Sequence, residues 1–334
     1  MRTFRAALVA LSLVFVVALS GWGFLVHRTI NQLAIYQLPK DMQPFFHSNM
    51  EYLVRHSVRP DRRRNSDKEE ETKHFINFEA YGDSAAWKMP LDWNAATRRY
   101  KRDTLLKYGY VPYWIMVMKD RLTNAFRTGN RDSILFYSAD LAHYIADAHV
   151  PLHTSVNYDG QLTGQKGLHS LWESAIPEIH LKEYNLYTKH KAKYLSRPGR
   201  AIWNATREAH LLLKDLLLQE KEASKGIPDS VKYRFQTRNG REVRSYSSTF
   251  AKAYSKRLGN TINTQLLRSS ELCADFWYTC WVDAGKPDLS KLMTAPATEE
   301  KKEKLKEELK AFRKNQLIEA KLLLSRQEAP RSEE

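Results

Sequence analysis

Residues 143–153, HYIADAHVPLH, place three histidines, an aspartate and a proline within eleven positions. In an α-helix, His143 and Asp147 lie one turn apart on the same face, so both side chains can reach one point. Pro151 disturbs the regular spiral, which lets His153 approach that point from another direction. Two imidazoles and a carboxylate that converge predict a metal site. The alternative is a buried helix whose histidines are satisfied by hydrogen bonds alone.

A second pair of the same kind follows in the segment GLHSLWES, where His169 and Glu173 are also four positions apart. Zinc accepts imidazole nitrogen and carboxylate oxygen, and a site for several ions needs several such pairs in one cavity. Further candidates lie upstream, each of which taken alone is more typical of a structural or surface residue. They are Trp22, His27, Asp61 and His74.

The amino-terminal segment is typical of a targeting sequence. Arg2 and Arg5 precede an uncharged apolar run from Ala6 to Leu19, which is too short for an ordinary membrane span. We therefore expect residues 1–21 to be a signal peptide and the protein to be exported, either periplasmic or secreted and of bacterial type. An uncleaved anchor is the alternative. No later stretch is apolar enough to cross a bilayer.

The composition is that of a globular protein, with 43% hydrophobic and 27% charged residues among 334. Its two cysteines, Cys273 and Cys280, would lie about 10 Å apart along one helix, which is beyond the reach of a disulfide, so we expect unpaired thiols. The formal net charge is +15, dense in the runs RHSVRPDRRR and ATRRYKRD. Such runs attract phosphate-bearing substrates or anionic lipid, although a merely solubilising surface explains them equally well.

Apolar residues recur at helical spacing and glycine is scarce, which predicts an all-α fold with one large helical domain. Asp41 is placed to cap the second helix. Asn239 and Gly240, between short alternating runs, indicate a small hairpin-like insertion. The residues after 297 suggest an exposed, charged helix. The predicted domains are residues 1–21 (signal peptide), 22–288 (catalytic domain) and 289–334 (linker and charged helix). Helices are expected near residues 104–128, 132–149, 168–177, 200–223 and 246–284.

Over residues 22–285, the chain resembles the zinc phospholipases C of bacteria and the related single-strand-preferring zinc nucleases of fungi and plants. Those proteins share a helical fold, three zinc ions and an ordered pattern of ligands. The resemblance lies in nine residues in the same order with similar gaps, all before position 175: Trp22, His27, Asp61, His74, His143, Asp147, His153, His169 and Glu173.

The resemblance implies how these residues divide among three Zn²⁺ ions. The first ion would be held by Asp61, His74, His143 and Asp147, and the second by His153, His169 and Glu173. The third would be held by His27, a bridging Asp147, and the free amino group and carbonyl of Trp22. His149 matches no ligand position, and we interpret it as a packing residue.

The resemblance also implies a reaction, in which zinc-bound hydroxide attacks the phosphorus of a phosphodiester. Asp61 would orient or deprotonate the water. Arg64 matches an arginine that lies near the phosphate in the nucleases, and a guanidinium suits this role because its planar fork donates two hydrogen bonds. Phe75 matches an aromatic residue that stacks on a base, although it could equally line a wall for lipid or belong to the core.

The sequence departs from the nucleases in two ways. The small residues Ala18 and Ser20 favour cleavage before Gly21, which would remove the free amine from Trp22. In addition, Glu173 replaces an aspartate, and the loop before His169 is short and lacks a Gly-Gly-Asn motif.

Because of the second departure, the favoured interpretation is a phospholipase C-like enzyme, and the alternative is a single-strand-preferring nuclease for DNA or RNA. A remote third possibility is a non-catalytic helical protein that is stabilised by zinc. The oligomeric state is not indicated by the sequence.

Overall fold

The computed structural model describes residues 23–238, 241–294 and 298–327, and its elements are almost all helices. The signal-peptide prediction and Trp22 therefore lie outside the described residues. The first nine α-helices are α1 Phe24–Gln37, α2 Gln43–Ser48, α3 Met50–His56, α4 Arg59–Arg63, α5 Ala85–Lys88, α6 Trp93–Tyr100, α7 Arg102–Tyr108, α8 Val111–Thr128 and α9 Arg131–Asp147.

The remaining α-helices are α10 Leu168–Ser170, α11 Ile176–His180, α12 Pro198–Ser224, α13 Asp229–Lys232, α14 Ser248–Leu258, α15 Thr261–Asp283 and α16 Glu299–Arg313. A π-helical turn over Leu171–Ala175 joins α10 to α11. Short 3-10 helices cover Glu71–Lys73, Phe78–Tyr81, Pro151–Thr154, Leu181–Glu183, Leu289–Leu292 and Leu324–Arg326. The all-α prediction is thus confirmed.

Helix α1 runs through the core, because nearly all of its residues after Leu25 are buried and it packs against α3, α9 and α15. Helices α8 and α9 pack along each other. Gly129, with a φ of 65°, ends α8 in the left-handed conformation that a helix C-terminus favours. Asn130 then caps α9, since its side chain accepts a hydrogen bond from the amide of Ser133. These two residues fix the direction in which α9 carries its histidine and aspartate.

The predicted cap at Asp41 is wrong. Helix α2 begins at Gln43, its N-cap residue is Met42, and no side chain caps it. Pro44 occupies the first turn, where its missing amide hydrogen has no helical partner to lose and its fixed φ suits a helix. The helix start is therefore set by the proline rather than by the aspartate.

The predicted hairpin is present as two antiparallel strands, β1 Tyr233–Arg238 and β2 Arg241–Tyr246, with Tyr233 opposite Tyr246. The predicted turn residues, Asn239 and Gly240, lie outside the described residues. The hairpin is anchored to α12 by Glu220, which is buried and accepts a hydrogen bond from Tyr246 at 3.0 Å. Lys232 pairs with the same carboxylate at 2.8 Å.

Residues 298–327, here termed the C-terminal strap, fold back onto the body. Helix α16 is charged and largely exposed, as predicted, but its inner face is buried at Glu308 and Phe312. The Tyr36 hydroxyl donates to Glu308 at 2.9 Å, and the amide of Leu324 donates to the side chain of Gln32 on α1 at 2.8 Å. The strap therefore supports α1 from outside, which a separate exposed helix would not do.

Cys273 and Cys280 are both unpaired and buried on α15, as predicted. Burial raises the pKa of the Cys280 thiol to about 12, so both residues act as core side chains rather than reactive thiolates. None of the helices in the described part of the chain is long and apolar enough to cross a membrane.

Candidate metal centre

All eight predicted ligands that the structure describes meet in one cluster, although they come from distant parts of the chain. Seven of them are at least 95% buried, and the side chain of His169 is 21% exposed. The cluster therefore opens toward solvent beside His169. Five members lie on α-helices: His27 on α1, Asp61 on α4, His143 and Asp147 on α9, and His169 on α10. His74 follows the 3-10 helix Glu71–Lys73, His153 lies in the 3-10 helix Pro151–Thr154, and Glu173 lies on the π-turn.

The first group is built around α9. His143 Nε2 lies 3.2 Å from Asp147 Oδ2, as expected for side chains one helical turn apart. His74 Nδ1 lies 2.8 Å from the same oxygen and 3.1 Å from His143 Nε2. Asp61 Oδ1 approaches the two histidines at 3.9 and 3.8 Å. Two imidazole nitrogens and two carboxylates thus face one point.

The second group contains His153, His169 and Glu173. His169 Nε2 lies 2.8 Å from Glu173 Oε1 and 3.1 Å from His153 Nε2, and His153 Nε2 lies 3.1 Å from Glu173 Oε1. Pro151 begins the short 3-10 helix that carries His153, so the proline redirects the chain as the sequence predicted. The π-turn that carries Glu173 is a rare local structure that occurs frequently at functional sites.

Asp147 lies between these groups and His27. Its Oδ2 faces His74 and His143, while its Oδ1 lies 3.5 Å from His27 Nε2. The ring of His27 stacks on that of His143 with centroids 3.9 Å apart. The first described residue, Gly23, donates its amide hydrogen to the carbonyl of Glu173 at 3.1 Å, which holds the start of α1 beside the second group. One carboxylate thus presents each of its oxygens to a different set of donors.

Backbone carbonyls fix two of the imidazole rings. His143 Nδ1 lies 2.8 Å from the carbonyl oxygen of Ser57, and His153 Nδ1 lies 2.9 Å from that of His74. A carbonyl only accepts hydrogen bonds, so Nδ1 carries the proton and Nε2 keeps its lone pair. In both residues the unprotonated nitrogen faces the cluster, which is the arrangement of metal-ligating histidine.

A comparison with protein-family models gives one decisive match: the S1/P1 nuclease model matches residues 22–270. The chain belongs to the S1/P1 nuclease family. A comparison with curated proteins finds no significant match. The S1/P1 nuclease family consists of zinc-dependent phosphodiester hydrolases, which confirms the predicted class of enzyme and the resemblance from which it was drawn.

The donor set fits zinc, since it consists of imidazole nitrogens and carboxylate oxygens. Several buried atoms of the cluster have no hydrogen-bond partner among the described residues. They include the two ring nitrogens of His27 and Asp147 Oδ1. Such buried, unsatisfied polar atoms are costly unless another group binds them. In each of three groups, the donor atoms lie within 4.8 Å of one another: His27, Asp61 and His143; His74, His143 and Asp147; and His153, His169 and Glu173.

The pKa shifts show how strongly the buried histidines and carboxylates of the cluster interact. Burial and the neighbouring His143 lower the pKa of His27 well below its usual value, so that its ring is neutral and able to bind a metal. The pKa of Asp147 is also well below its usual value: burial opposes this shift, but the surrounding histidines outweigh burial. Contacts with Asp147 and Glu70 overcome burial and raise the pKa of His74 to about 9.

The other predicted site residues lie near the cluster. Arg64 Nη1 is 3.7 Å from Asp61 Oδ1, and its side chain is 26% exposed. Phe75 is half-buried and directly follows His74. His149 is buried with Nδ1 2.7 Å from the carbonyl oxygen of Ile145, which agrees with a packing role. Of the neighbouring arginines, Arg63 forms ion pairs with Asp140 and Glu70 instead of lying in solvent.

Two residues near the site were not found from the sequence. Tyr158 is 50% exposed, and its ring lies 6.2 Å from that of His169. Glu70 is buried behind His74. Glu70 lies four positions before His74, but so many acidic residues precede that histidine (Glu69, Glu70 and Glu71) that spacing could not distinguish it. Tyr158 lies in a polar loop, where a single aromatic residue carries no periodic signal.

Proposed function

We propose that this member of the S1/P1 nuclease family is an exported zinc nuclease that hydrolyses phosphodiester bonds in nucleic acid and prefers single strands. The observation that supports it is the buried cluster of eight ligands, in the order that the resemblance implied, within the range that the family model matches. The family match favours the nuclease, which the sequence analysis ranked second, over the phospholipase C, which it ranked first.

We further propose three zinc ions, held as the resemblance implied, with Asp147 shared between the first and third ions. The split contacts of Asp147 support this, because a bridging carboxylate must present one oxygen to each ion. Bound zinc lowers the pKa of water, neutralises phosphate oxygens and stabilises the leaving oxygen. Whether Trp22 completes the third site depends on where the signal peptide is cleaved.

The chain's own residues would position the substrate. Asp61 is buried, and its contacts with His74 and His143 place a carboxylate where it can orient a water molecule or accept its proton. Arg64 extends from the same short segment toward solvent, so its guanidinium can bind a phosphate oxygen while the Asp61 carboxylate stays buried. His169 is the exposed edge of the cluster, and this places the entrance on its side.

Two aromatic side chains support a nucleic-acid substrate. Tyr158 presents an exposed ring beside His169, and Phe75 is half-buried next to His74. Unpaired bases stack on such rings, whereas a base within a duplex is already stacked. The formal net charge is +15, and the expected signal peptide contains only two of the basic residues, Arg2 and Arg5, so the mature chain also favours a polyanion. These features explain a preference for single strands without any sequence-specific contact.

The test compares three substrates with purified, zinc-loaded protein. We expect cleavage of single-stranded DNA or RNA, slower cleavage of duplex DNA and no release of headgroup from phosphatidylcholine vesicles. A chelator should abolish cleavage, and Asp61→Asn prepared in parallel excludes a contaminating nuclease. Headgroup release without DNA cleavage would restore the phospholipase interpretation. Zinc-loaded protein that is inert on all three substrates would favour the non-catalytic binding protein.

Export is tested separately by mass spectrometry of protein recovered from an expressing bacterium. We expect the mature chain in the periplasm or medium, beginning at Trp22 if the third site is complete. A mature chain that begins at Gly21 would argue against an amino-terminal zinc ligand. Protein that retains residues 1–21 would support the uncleaved anchor.

A further inference from the structure

Glu70 is a buried carboxylate behind His74, on the side of the ring that faces away from the cluster. Its Oε1 lies 3.6 Å from His74 Nε2, whereas His74 Nδ1 lies 2.8 Å from Asp147 Oδ2. The two ring nitrogens therefore face two different carboxylates. His74 Nε2 is buried and has no hydrogen-bond partner within the described residues.

Several side chains hold Glu70 in place. Arg63 contacts both of its oxygens at 3.1 Å, and Lys73 Nζ lies 2.9 Å from Oε2. The hydroxyl of Tyr144, on α9 next to His143, donates to Oε1. Glu70 is only 1% exposed. A carboxylate with this many donors is ionised and cannot rotate away without leaving buried charges unpaired.

His74 also differs from His143, the other histidine of the first group. His143 presents Nε2 to the cluster because a backbone carbonyl binds its Nδ1, but His74 presents Nδ1. For His74, the ring nitrogen that faces away from the cluster lies beside the Glu70 carboxylate instead of a backbone carbonyl. A carboxylate that accepts the remote N–H of a ligand histidine fixes its tautomer and makes its other nitrogen more basic.

We propose that Glu70 is a positioning residue for the zinc site, which accepts the Nε2 proton of His74 and thereby keeps Nδ1 unprotonated and aimed at the ion. This inference rests on the proposed zinc site but not on the identity of the substrate. The zinc site also depends indirectly on the side chains that hold the Glu70 carboxylate in place, which are Arg63, Lys73 and Tyr144.

The test is the zinc affinity of Glu70→Gln, measured by competition with a chromophoric chelator. We expect one zinc equivalent to bind about 10- to 100-fold more weakly than in the parent protein, the usual cost of removing such a partner. Asp140→Asn is the matched control, because Asp140 is a buried carboxylate whose ion pairs in the described part of the chain are with Arg59 and Arg63 rather than with His74. This control should lose stability but keep its zinc affinity within about twofold. Equal losses of affinity in both variants, or none in Glu70→Gln, would overturn the proposal.

A second measurement does not depend on whether the variant folds. A long-range ¹H–¹⁵N correlation of the histidine rings in the zinc-loaded parent protein should show His74 protonated at Nε2 and metal-bound through Nδ1, the reverse of His143. A His74 that binds zinc through Nε2 would contradict the proposal. Nuclease activity enters neither measurement, so failure of the proposed substrate and failure of this inference remain distinguishable.

Discussion

At the scale of single residues, Asp147 connects the parts of the site, because each of its oxygens faces a different set of histidines. Asp147→Asn removes the charge and leaves only one oxygen as a ligand. We expect at least one zinc equivalent to be lost and kcat to fall at least about 100-fold. Zinc content by atomic emission and initial rates on single-stranded DNA test this. Asp140→Asn, on the same helix, should retain its zinc, and full zinc content in Asp147→Asn would argue against a bridging role.

Tyr158 is placed to stack on a base of the substrate, because its exposed ring lies beside the open edge of the cluster. Stacking of a base on an aromatic ring contributes about 1–3 kcal/mol. Tyr158→Ala should therefore raise KM for a single-stranded oligonucleotide about fivefold or more and change kcat less. Tyr194→Ala is the control, since Tyr194 is equally exposed but contacts Asp283 instead of a ligand. A KM that is the same in both variants and the parent would contradict a base-stacking role.

Residue spacing predicted which side chains of two pairs lie close together, because the geometry involved is local. His143 with Asp147 and His169 with Glu173 are four positions apart, and helical or π-helical turns bring each pair together. The meeting of Asp61 and His74 with α9 depends on tertiary packing, and only the resemblance to a known family indicated it. Glu70 lies four positions before His74, but its acidic neighbours Glu69 and Glu71 hide it from spacing, and it has no place in that family's pattern of ligands.

At the scale of elements, helix positions were predicted better than helix breaks. The expected helix over residues 104–128 is divided at Gly109, whose φ is 86° and where a Cβ atom would come within 2.3 Å of the carbonyl oxygen of Phe75. The expected helix over residues 246–284 is divided at Gly259. Apolar periodicity continues across both glycines, so it cannot reveal these breaks. The first of them allows the segment after His74 to pack closely against the start of α8.

The C-terminal strap was predicted to be charged and exposed because its charges outnumber its apolar residues. Only a few side chains bury its inner face, and Phe312 is the largest, with its ring 5.2 Å from that of Tyr36 on α1. Phe312→Ala should lower the free energy of unfolding by about 3 kcal/mol or more. Phe235→Ala is the control, because that ring is 51% exposed and its loss should cost under about 0.5 kcal/mol. Equal stability of the two variants in urea titrations would show that the strap does not support α1.

At the scale of the whole molecule, the excess of basic residues that remains after removal of residues 1–21 should govern how a polyanion binds. Each phosphate that a lysine or arginine neutralises releases counterions, so the logarithm of the binding constant falls linearly with the logarithm of salt concentration. We expect binding of a cleavage-resistant single-stranded DNA analogue by the zinc-loaded parent protein to weaken at least tenfold between about 50 and 200 mM salt. Fluorescence anisotropy measures this. Affinity that is independent of salt would argue against a nucleic-acid substrate.

The metal cluster should also determine the stability of the whole molecule, because its ligands join α1, α4, α9, α10 and the π-turn. Without a cation, several buried polar atoms have no hydrogen-bond partner among the described residues: both ring nitrogens of His27, Asp147 Oδ1 and the two Glu173 oxygens. A ligand at about 100 times its Kd stabilises a folded protein by about 2.7 kcal/mol per site. In a domain of this size, that corresponds to a Tm shift of roughly 5–10 °C. Calorimetry with and without chelator should show at least this decrease, reversed by added zinc. The chelator should lower the Tm of Asp147→Asn by a smaller amount than that of the parent protein. A parent Tm that does not respond to chelator would mean that the cluster does not bind zinc tightly.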